Sequence, residues 1–304
     1  LQHHQINKLK WDNAINESLT PFPYLYAWYL DIAAPGWLAI ADENYYNIMP
    51  LAVRKKAGIK YLYQPFFTQQ FGLIQKINNS ELLAEAIQLI KENFSYAELQ
   101  FNYKNKVENG SSQQQRQTHH LLLNQSFEII QSSYNTNLKR KLRKNAAYNF
   151  SETDNAKILI DVFRKMKGKE VSVLKQKDYD ILNQLIQAAI KKQTGAIKML
   201  YDGKEFLSGT FLLMNKYYIV NLFPVSSETG RINNGMSFLL DAIIKNESGN
   251  NKIFDFEGSD IKTVAQFYKS FGADMVPYQK VIINNLPWHS RIIKNIKDGL
   301  QSRR

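Results

Sequence analysis

Hydrophobic and polar positions run through the same order twice along this chain. From Trp37 to Phe101 they read as strand, tight turn, strand, turn, strand, proline, loop, helix, strand; from Ala196 to Glu257 they read so again. The first copy is WLAIAD, a turn at Glu43-Asn44, YYNIMPLAVR, Lys56-Ala57-Gly58, IKYLYQ and Pro65. The second is AIKMLYD, Asp202-Gly203, EFLSGTFLLM, Asn215-Lys216, YYIVNLF and Pro224. The repeat lies in pattern and not in letters. It predicts two copies of one fold facing each other, with a cleft between them as the place for a ligand.

Between and around these meanders the spacing predicts helices. Leu82, Leu83, Ala86, Ile87 and Ile90 form one apolar stripe over 81–93, with Ser80 as the cap. Residues 104–118 are polar and read as a loop, and a strand resumes at His120 to Asn124. A basic helix is expected from Ser133 to Ala147, then helices near 155–167 and 178–192. After the second meander come a loop from Ser226 to Gly235 and a helix to Lys245. A strand at Ile253 to Glu257 follows, then a helix from Asp260 (as cap) to Phe271 and a strand at Tyr278 to Ile283. A basic amphipathic helix closes the chain. Helices beside a mainly antiparallel sheet make this an α+β or mixed α/β protein.

The 304 residues suit two domains, expected at 1–132 and 133–285, with the closing basic helix at 286–304 docking on the first. Net charge is +12, which favours anionic partners such as nucleic acid, phosphorylated cofactors or a membrane surface. Lys139, Arg140, Lys141, Arg143 and Lys144 concentrate that charge. With no cysteine, disulfides, zinc–thiolate sites and a Cys nucleophile are excluded. No apolar run reaches membrane-span length and no apolar signal region opens the sequence, so a cytoplasmic location is expected.

Two segments carry candidate chemistry. SSETGRINNGMS leaves a strand and enters a helix; its Gly230, Arg231, Asn233, Asn234 and Gly235 suit either a pyrophosphate cradle or an ordinary turn with an Asn-Gly cap. In IFDFEGSDIKTVAQFYKSFGADMVPY, Asp255 and Glu257 alternate with Phe254 and Phe256 on a strand, and Tyr268 and Lys269 fall near the end of the next helix.

FDFEGS followed by FYKSFGA resembles the C-terminal signature of the FemAB-type acyltransferases, which carry two GNAT-like domains. The basic stretch Asn137 to Asn145 is similar to the one that opens that family's second domain. The likeness covers residues 130 to 285; the first domain matches by pattern, by Trp11-Asp12 and by the Pro65 to Gly72 turn. It implies tandem GNAT-like domains and transfer of an acyl or aminoacyl group onto an amine. FemAB-type enzymes use aminoacyl-tRNA to extend cell-wall peptide precursors, and relatives of their second domain are taken to use acyl-CoA. In this fold two splayed strands offer backbone donors to the carbonyl, which stabilises the oxyanion, and the amine is held against it. No covalent nucleophile is needed.

The family places a lysine where this chain has Tyr268, and Lys269 stands one position later, turned by about 100° on a helix. The loop also departs from the acyl-CoA pattern: Arg231 to Gly235 is one residue too long and Ser237 replaces the last small residue. The expectation is an N-acyltransferase taking its acyl group from acyl-CoA and passing it to an amine on a small molecule or peptide. The alternatives are an aminoacyl-tRNA-dependent transferase and a non-catalytic RNA- or envelope-binding module. Peripheral membrane contact is a further possible interaction.

The donor's phosphates are expected at Arg231, Asn233, Asn234, Gly235, Met236, Ser237, Lys139, Arg140 and Arg143. Tyr268 or Lys269 supplies the polar catalytic group, and Asp255 or Glu257 takes the amine proton. Strand alternation puts Tyr217, Ile219, Asn221 and Phe223 on one face, with Asn221 and Phe223 as candidate substrate contacts, Asn221 through a hydrogen bond. Gln69, Gln70 and Tyr103 are candidates for the acceptor pocket. His3-His4 and His119-His120 lack metal-ligand spacing, and neither a metal nor a tightly bound cofactor is expected.

Overall fold

A computed structural model describes residues 1–56, 58–107, 112–143, 147–167, 174–258 and 260–286. The expected closing helix and the last two residues of the basic stretch, Lys144 and Asn145, lie outside them. The chain opens with α1 (Lys8–Glu17) and α2 (Ala27–Ala33), then β1 (Leu38–Ala41), β2 (Asn47–Leu51), β3 (Val53–Lys56), β4 (Ile59–Leu62) and β5 (Ile74–Gln75). Helix α3 (Ser80–Asn93), β6 (Tyr96–Gln100), β7 (Ser112–Leu122), α4 (Phe127–Ser132) and α5 (Thr136–Leu142) follow. Next come β8 (Asn149–Thr153), α6 (Ala156–Lys167), α7 (Gln176–Lys191), β9 (Gly195–Asp202), β10 (Glu205–Met214) and β11 (Tyr218–Ser226). The last are α8 (Glu228–Ile232), α9 (Gly235–Glu247), β12 (Ile253–Asp255), α10 (Lys262–Lys269) and β13 (Asp274–Asn284).

Ten strands form one mixed sheet in the order β3-β4-β6-β13-β7-β12-β11-β10-β9-β8, and β1-β2-β5 form a small second sheet. Strand β13, from the end of the chain, lies between β6 and β7 and pairs with both. One face of the large sheet carries a core in which Trp11, Tyr24, Tyr29 and Trp37 pack with Leu182, Leu185, Tyr218 and Phe223, so α1, α2, α6 and α7 cover it. The other face carries Leu138, Leu212, Ile219, Leu240, Phe254, Phe256 and Tyr268 under α4, α5, α9 and α10. No helix of the described residues is long and apolar enough to cross a membrane.

The two meanders are present, but they differ. In the second, β9, β10 and β11 stay in one sheet. In the first the chain breaks at Ala52, so β1 and β2 leave for the small sheet while β3 and β4 stay in the large one. Strand β7 starts well inside the segment expected to be a loop. Its polar residues Gln113 to Gln117 are held by backbone pairing with β13, a long-range bond that side-chain polarity does not report. The basic helix is two helices: Asn135 caps α5 by accepting from the Leu138 N–H at 2.8 Å, which restarts the helix after α4. Strand β8 was not anticipated; four of its five residues are exposed on the edge of the sheet. Asn79 and not Ser80 caps α3, and Asp260 pairs with Arg116 and does not cap α10.

Gly230 sits in α8 where it touches β10: a Cβ there would lie 1.8 Å from the Leu207 carbonyl oxygen. The residue is fixed by close backbone packing, whatever the loop binds. Gly230→Ala is expected to lower the unfolding free energy by about 3 kcal/mol, the upper range of overpacking. An unchanged denaturant midpoint would show that the α8–β10 contact is loose.

Candidate functional site

Strands β11 and β12 pair in parallel over three residues only, Tyr218 to Val220 against Ile253 to Asp255. Beyond that, β11 runs on to Ser226 bonded to β10 alone, while the chain after β12 turns away through Glu257. Glu257 has φ +61°, a left-handed conformation that costs a non-glycine residue about 1–3 kcal/mol and that clusters at functional sites. Gly258 follows where a Cβ would lie 2.4 Å from the Gln117 carbonyl oxygen. The result is an opening between two strands, with backbone groups of β11 facing it without a strand partner.

On the α9 side of the opening stands Asn221, fully buried. Its Oδ1 accepts from the Thr210 hydroxyl at 2.6 Å, and its Nδ2 has no partner. Phe223 does not share this face as alternation predicts. The register of β10 on β11 jumps from Phe211↔Phe223 to Leu212↔Asn221, so Leu222 is an extra residue in β11. The bulge swings Phe223 to the other face, against Phe163 and Phe67.

The other side of the opening is acidic. Asp255, with no exposed surface, accepts at Oδ1 from the Thr118 hydroxyl (2.6 Å) and the Glu257 N–H (2.9 Å). Its Oδ2 lies 3.4 Å from His120 Nε2, and His120 is its cross-strand partner on β7. Burial, then the charge of Asp255, pushes the Glu257 carboxyl well above the ordinary range. The phenol of Tyr24 is raised by burial and then by Asp255 and Glu257. His119, the neighbour of His120, points to the opposite face of β7, toward Tyr268; burial and then Lys269 hold its imidazole below the usual value. Both of its ring nitrogens are unpartnered.

Tyr268 and Lys269 separate as their helical spacing requires. Tyr268 is buried against Phe256, with ring centroids 5.0 Å apart, and burial raises its phenol. Lys269 is exposed and lines a cavity of about 500 Å³ with Lys141, Asn135, Asn137, Ser237, Thr263 and Gln266. Of the loop residues expected to hold phosphate, Ser237 alone lines this cavity. Arg231 lies on α8 and Asn233 is its C-cap; both are exposed, and Asn234 is the left-handed cap of α9. Gly235 packs on Ser208, and Met236 packs against the core beneath α9. Lys139 and Arg143 line a smaller hollow of about 290 Å³ on the other side of α5, while Arg140 bonds Asn137.

Gln69, Gln70 and Tyr103 lie together in the interior. Gln70 Nε2 donates to Gln69 Oε1, and Gln70 Oε1 accepts from the Tyr103 N–H. The Tyr103 hydroxyl meets that of Tyr218 at 3.2 Å on the wall of a third cavity, of about 730 Å³. Sequence reasoning passed over His120, His119 and Tyr24, because the histidines were weighed only as metal ligands. The available signal was the run Thr118-His119-His120-Leu121, consecutive polar and apolar residues of one strand that are all buried.

Glu257 binds its proton more tightly in the folded chain than at its ordinary value of 4.5, so stability falls as pH rises from that value toward the raised one. Glu257→Gln, which removes the titration, is expected to raise the melting temperature at pH 8 and to leave it unchanged at pH 4. Equal effects at both pH values would show that the carboxyl is not held protonated by the fold.

Comparison with protein-family models and with curated proteins found no match. Comparison with solved structures did. FemX matches at TM-score 0.64 over 92% of this chain and 97% of its own, with 10% identity. A conserved protein of unknown function from Bacteroides thetaiotaomicron matches at 0.59 over 91% and 97%, also with 10% identity. The C-terminal domain of a putative lysylphosphatidylglycerol synthetase from Agrobacterium fabrum matches at 0.51 over 83% and 85%, with 9% identity. The resemblance carried by FDFEGS and FYKSFGA thus holds for the architecture of the whole chain, which has a FemX-like fold of the FemAB and GNAT type.

Proposed function

We propose that this chain is an acyltransferase that moves an acyl group from a phosphate-bearing donor, acyl-CoA, to an amine by direct attack. The observation that carries the reading is the parting of β11 and β12 after Val220 and Asp255. On the α9 and α10 side of the sheet is a cavity lined by Lys141 and Lys269, and on the other face lie the buried carboxyl of Asp255 and the half-buried Glu257. The FemX-like fold supports the transferase class.

In this reading the two lysines hold the donor's phosphates by charge-assisted bonds. The acyl carbonyl lies in the opening, where unpaired β11 backbone groups and the free Asn221 Nδ2 are the available donors to its oxygen. The amine approaches from the Asp255 and Glu257 side and loses its proton there. Tyr268 is a packing residue whose phenol lies in the field of the same acidic pair, and the cation of the closing motif is Lys269. A second reading, an aminoacyl-tRNA donor, is favoured by the cations of α5 that lie outside the cavity: Lys139, Arg140 and Arg143.

The test is equilibrium binding of acetyl-CoA and of charged tRNA across a salt series. Acetyl-CoA is expected to bind saturably, and Lys141→Gln or Lys269→Gln to weaken it about tenfold each, the worth of one charge-assisted bond. Binding unaffected by both substitutions would remove the cavity as the donor site. Preference for charged tRNA, lost on Arg140→Gln and Arg143→Gln with a steep salt slope, would move the donor to tRNA.

A further inference from the structure

We propose that the cavity of about 730 Å³ beside α1 is a second ligand site, for a small organic phosphate with an apolar or ring-shaped body. The site stands apart from the transferase reading and does not need it. The cavity of Lys141 and Lys269 lies between α5 and α10, whereas this one lies on the other side of the sheet, between α1 and the turn that joins β10 to β11. Tyr218 and Ile253, on its wall, are the first paired residues of β11 and β12, so it stands at the closed end of the ladder whose other end opens.

Its walls come from segments far apart in sequence and are tied to one another. The Tyr217 hydroxyl donates to the Asn16 carbonyl at 2.8 Å, and Asn215 Nδ2 donates to the Pro21 carbonyl at 2.7 Å. These two bonds fix the β10–β11 turn on the end of α1. Asn215 Oδ1 accepts the N–H groups of Tyr217 and Tyr218, both at 2.8 Å, which sets the turn itself. Between the lining residues Leu122 and Asn124, the Leu123 N–H donates to the Lys252 carbonyl at 3.0 Å. A hollow braced in this way does not close through side-chain rearrangement alone.

The chemistry of the lining selects an anion. Lys76, Lys216 and Lys252 stand with one carboxylate, Glu17, which Lys76 holds at 3.3 Å. Lys252 is 4.0 Å from Glu247, while among the described residues Lys216 has no carboxylate partner and rests its ammonium over the Tyr217 ring at 4.7 Å. At one wall the Tyr103 and Tyr218 hydroxyls share a hydrogen bond of 3.2 Å, which uses one of their two hydrogens. Burial raises both phenols, so the second hydrogen stays in place as a donor. The side chains of Asn13, Asn124 and Asn251 form no hydrogen bond among the described residues and offer further amide donors. Ammonium, phenol and amide donors with an excess of positive charge fit the oxygens of a phosphate monoester, which carries a charge of about −1.5 to −2 near neutral pH. An ammonium ligand or a neutral polyol would leave that excess unanswered.

The rest of the lining sets the body of the ligand. Leu19 and Leu122 are 41% and 57% exposed, and both face the hollow beside the partly buried Ile253 and the Tyr217 ring. Covering this apolar surface adds to binding in proportion to the area removed from water. A phosphate ester with an apolar or aromatic body therefore gains over inorganic phosphate, whose contacts end at the lysines and amides.

The test is titration calorimetry of the full chain with phenyl phosphate, inorganic phosphate and phenol at constant ionic strength. Phenyl phosphate is expected to bind saturably and about tenfold more tightly than inorganic phosphate, and phenol to show no saturable binding. Lys216→Gln is expected to weaken phenyl phosphate about tenfold, and Leu122→Asp, which sets a carboxylate in the hollow, to abolish its binding. Both residues are exposed, so the melting temperature of each variant should stay at the wild-type value. Lys204→Gln, at an exposed lysine of the β9–β10 turn that does not line the hollow, is expected to change nothing, and so is Lys269→Gln in the donor cavity. Phenyl phosphate bound no more tightly than inorganic phosphate would overturn the proposal. So would an equal loss in Lys204→Gln and Lys216→Gln, which marks general attraction to a basic protein, or a loss confined to Lys269→Gln, which places the phosphate in the other cavity.

Discussion

Strands β11 and β12 stay bonded for three residue pairs and then separate, and the site is built around that limit. A parallel pair that simply continued would have bonded the backbone of β11 from Asn221 onward. Instead Phe256 gives its N–H to the His119 carbonyl of β7, and Glu257 takes a left-handed turn away from the sheet. The strain at Glu257 and the close fit of Gly258 against Gln117 are the local cost of prising the strands apart. It is offset by the two large cores that grip the sheet from both sides.

Those cores also determine the electrostatics. A carboxyl taken out of water loses several kcal/mol of solvation unless bonds replace it. For Asp255 two of them do, from Thr118 and from the Glu257 backbone. Glu257 keeps an enclosed oxygen with no partner, and burial pushes its carboxyl well above the ordinary range. The same burial raises the phenols of Tyr24, Tyr218 and Tyr278 and lowers the imidazole of His119. The mobile charge is outside, on α5 and at Lys269, around a cavity on the opposite face of the sheet. A cationic surface at α5 and Lys269 and an interior holding Asp255 and Glu257 are thereby separated by a single layer of strands.

The order of strands gives this separation its stiffness. Because β13 lies between β6 and β7, the last strand of the described residues is bonded to strands from the first half of the chain. Movement of either half would break that ladder, so the wall made by β7, with His119 on one side and His120 on the other, is fixed relative to β12.

What the sequence determined by itself is the set of elements and their order. Alternation and helical spacing report burial within a segment, so both meanders and the helices α3, α6, α7 and α9 were legible. FDFEGS and FYKSFGA were legible as a pair because they are contiguous. Asp255 and Glu257 were found for that reason, and Lys269 was distinguished from Tyr268 by one step of a helix. What only the tertiary structure decided is every relation between distant segments. The polar strand Gln113 to Gln117 is ordered by its neighbour β13, and the bulge at Leu222 moves Phe223 off the face of Asn221. His120 meets Asp255, and Tyr24 comes into the field of both carboxyls, through strand order and layer packing. Backbone bonds between strands carry no side-chain signature, and a residue buried by a remote segment looks the same in sequence as one that faces water.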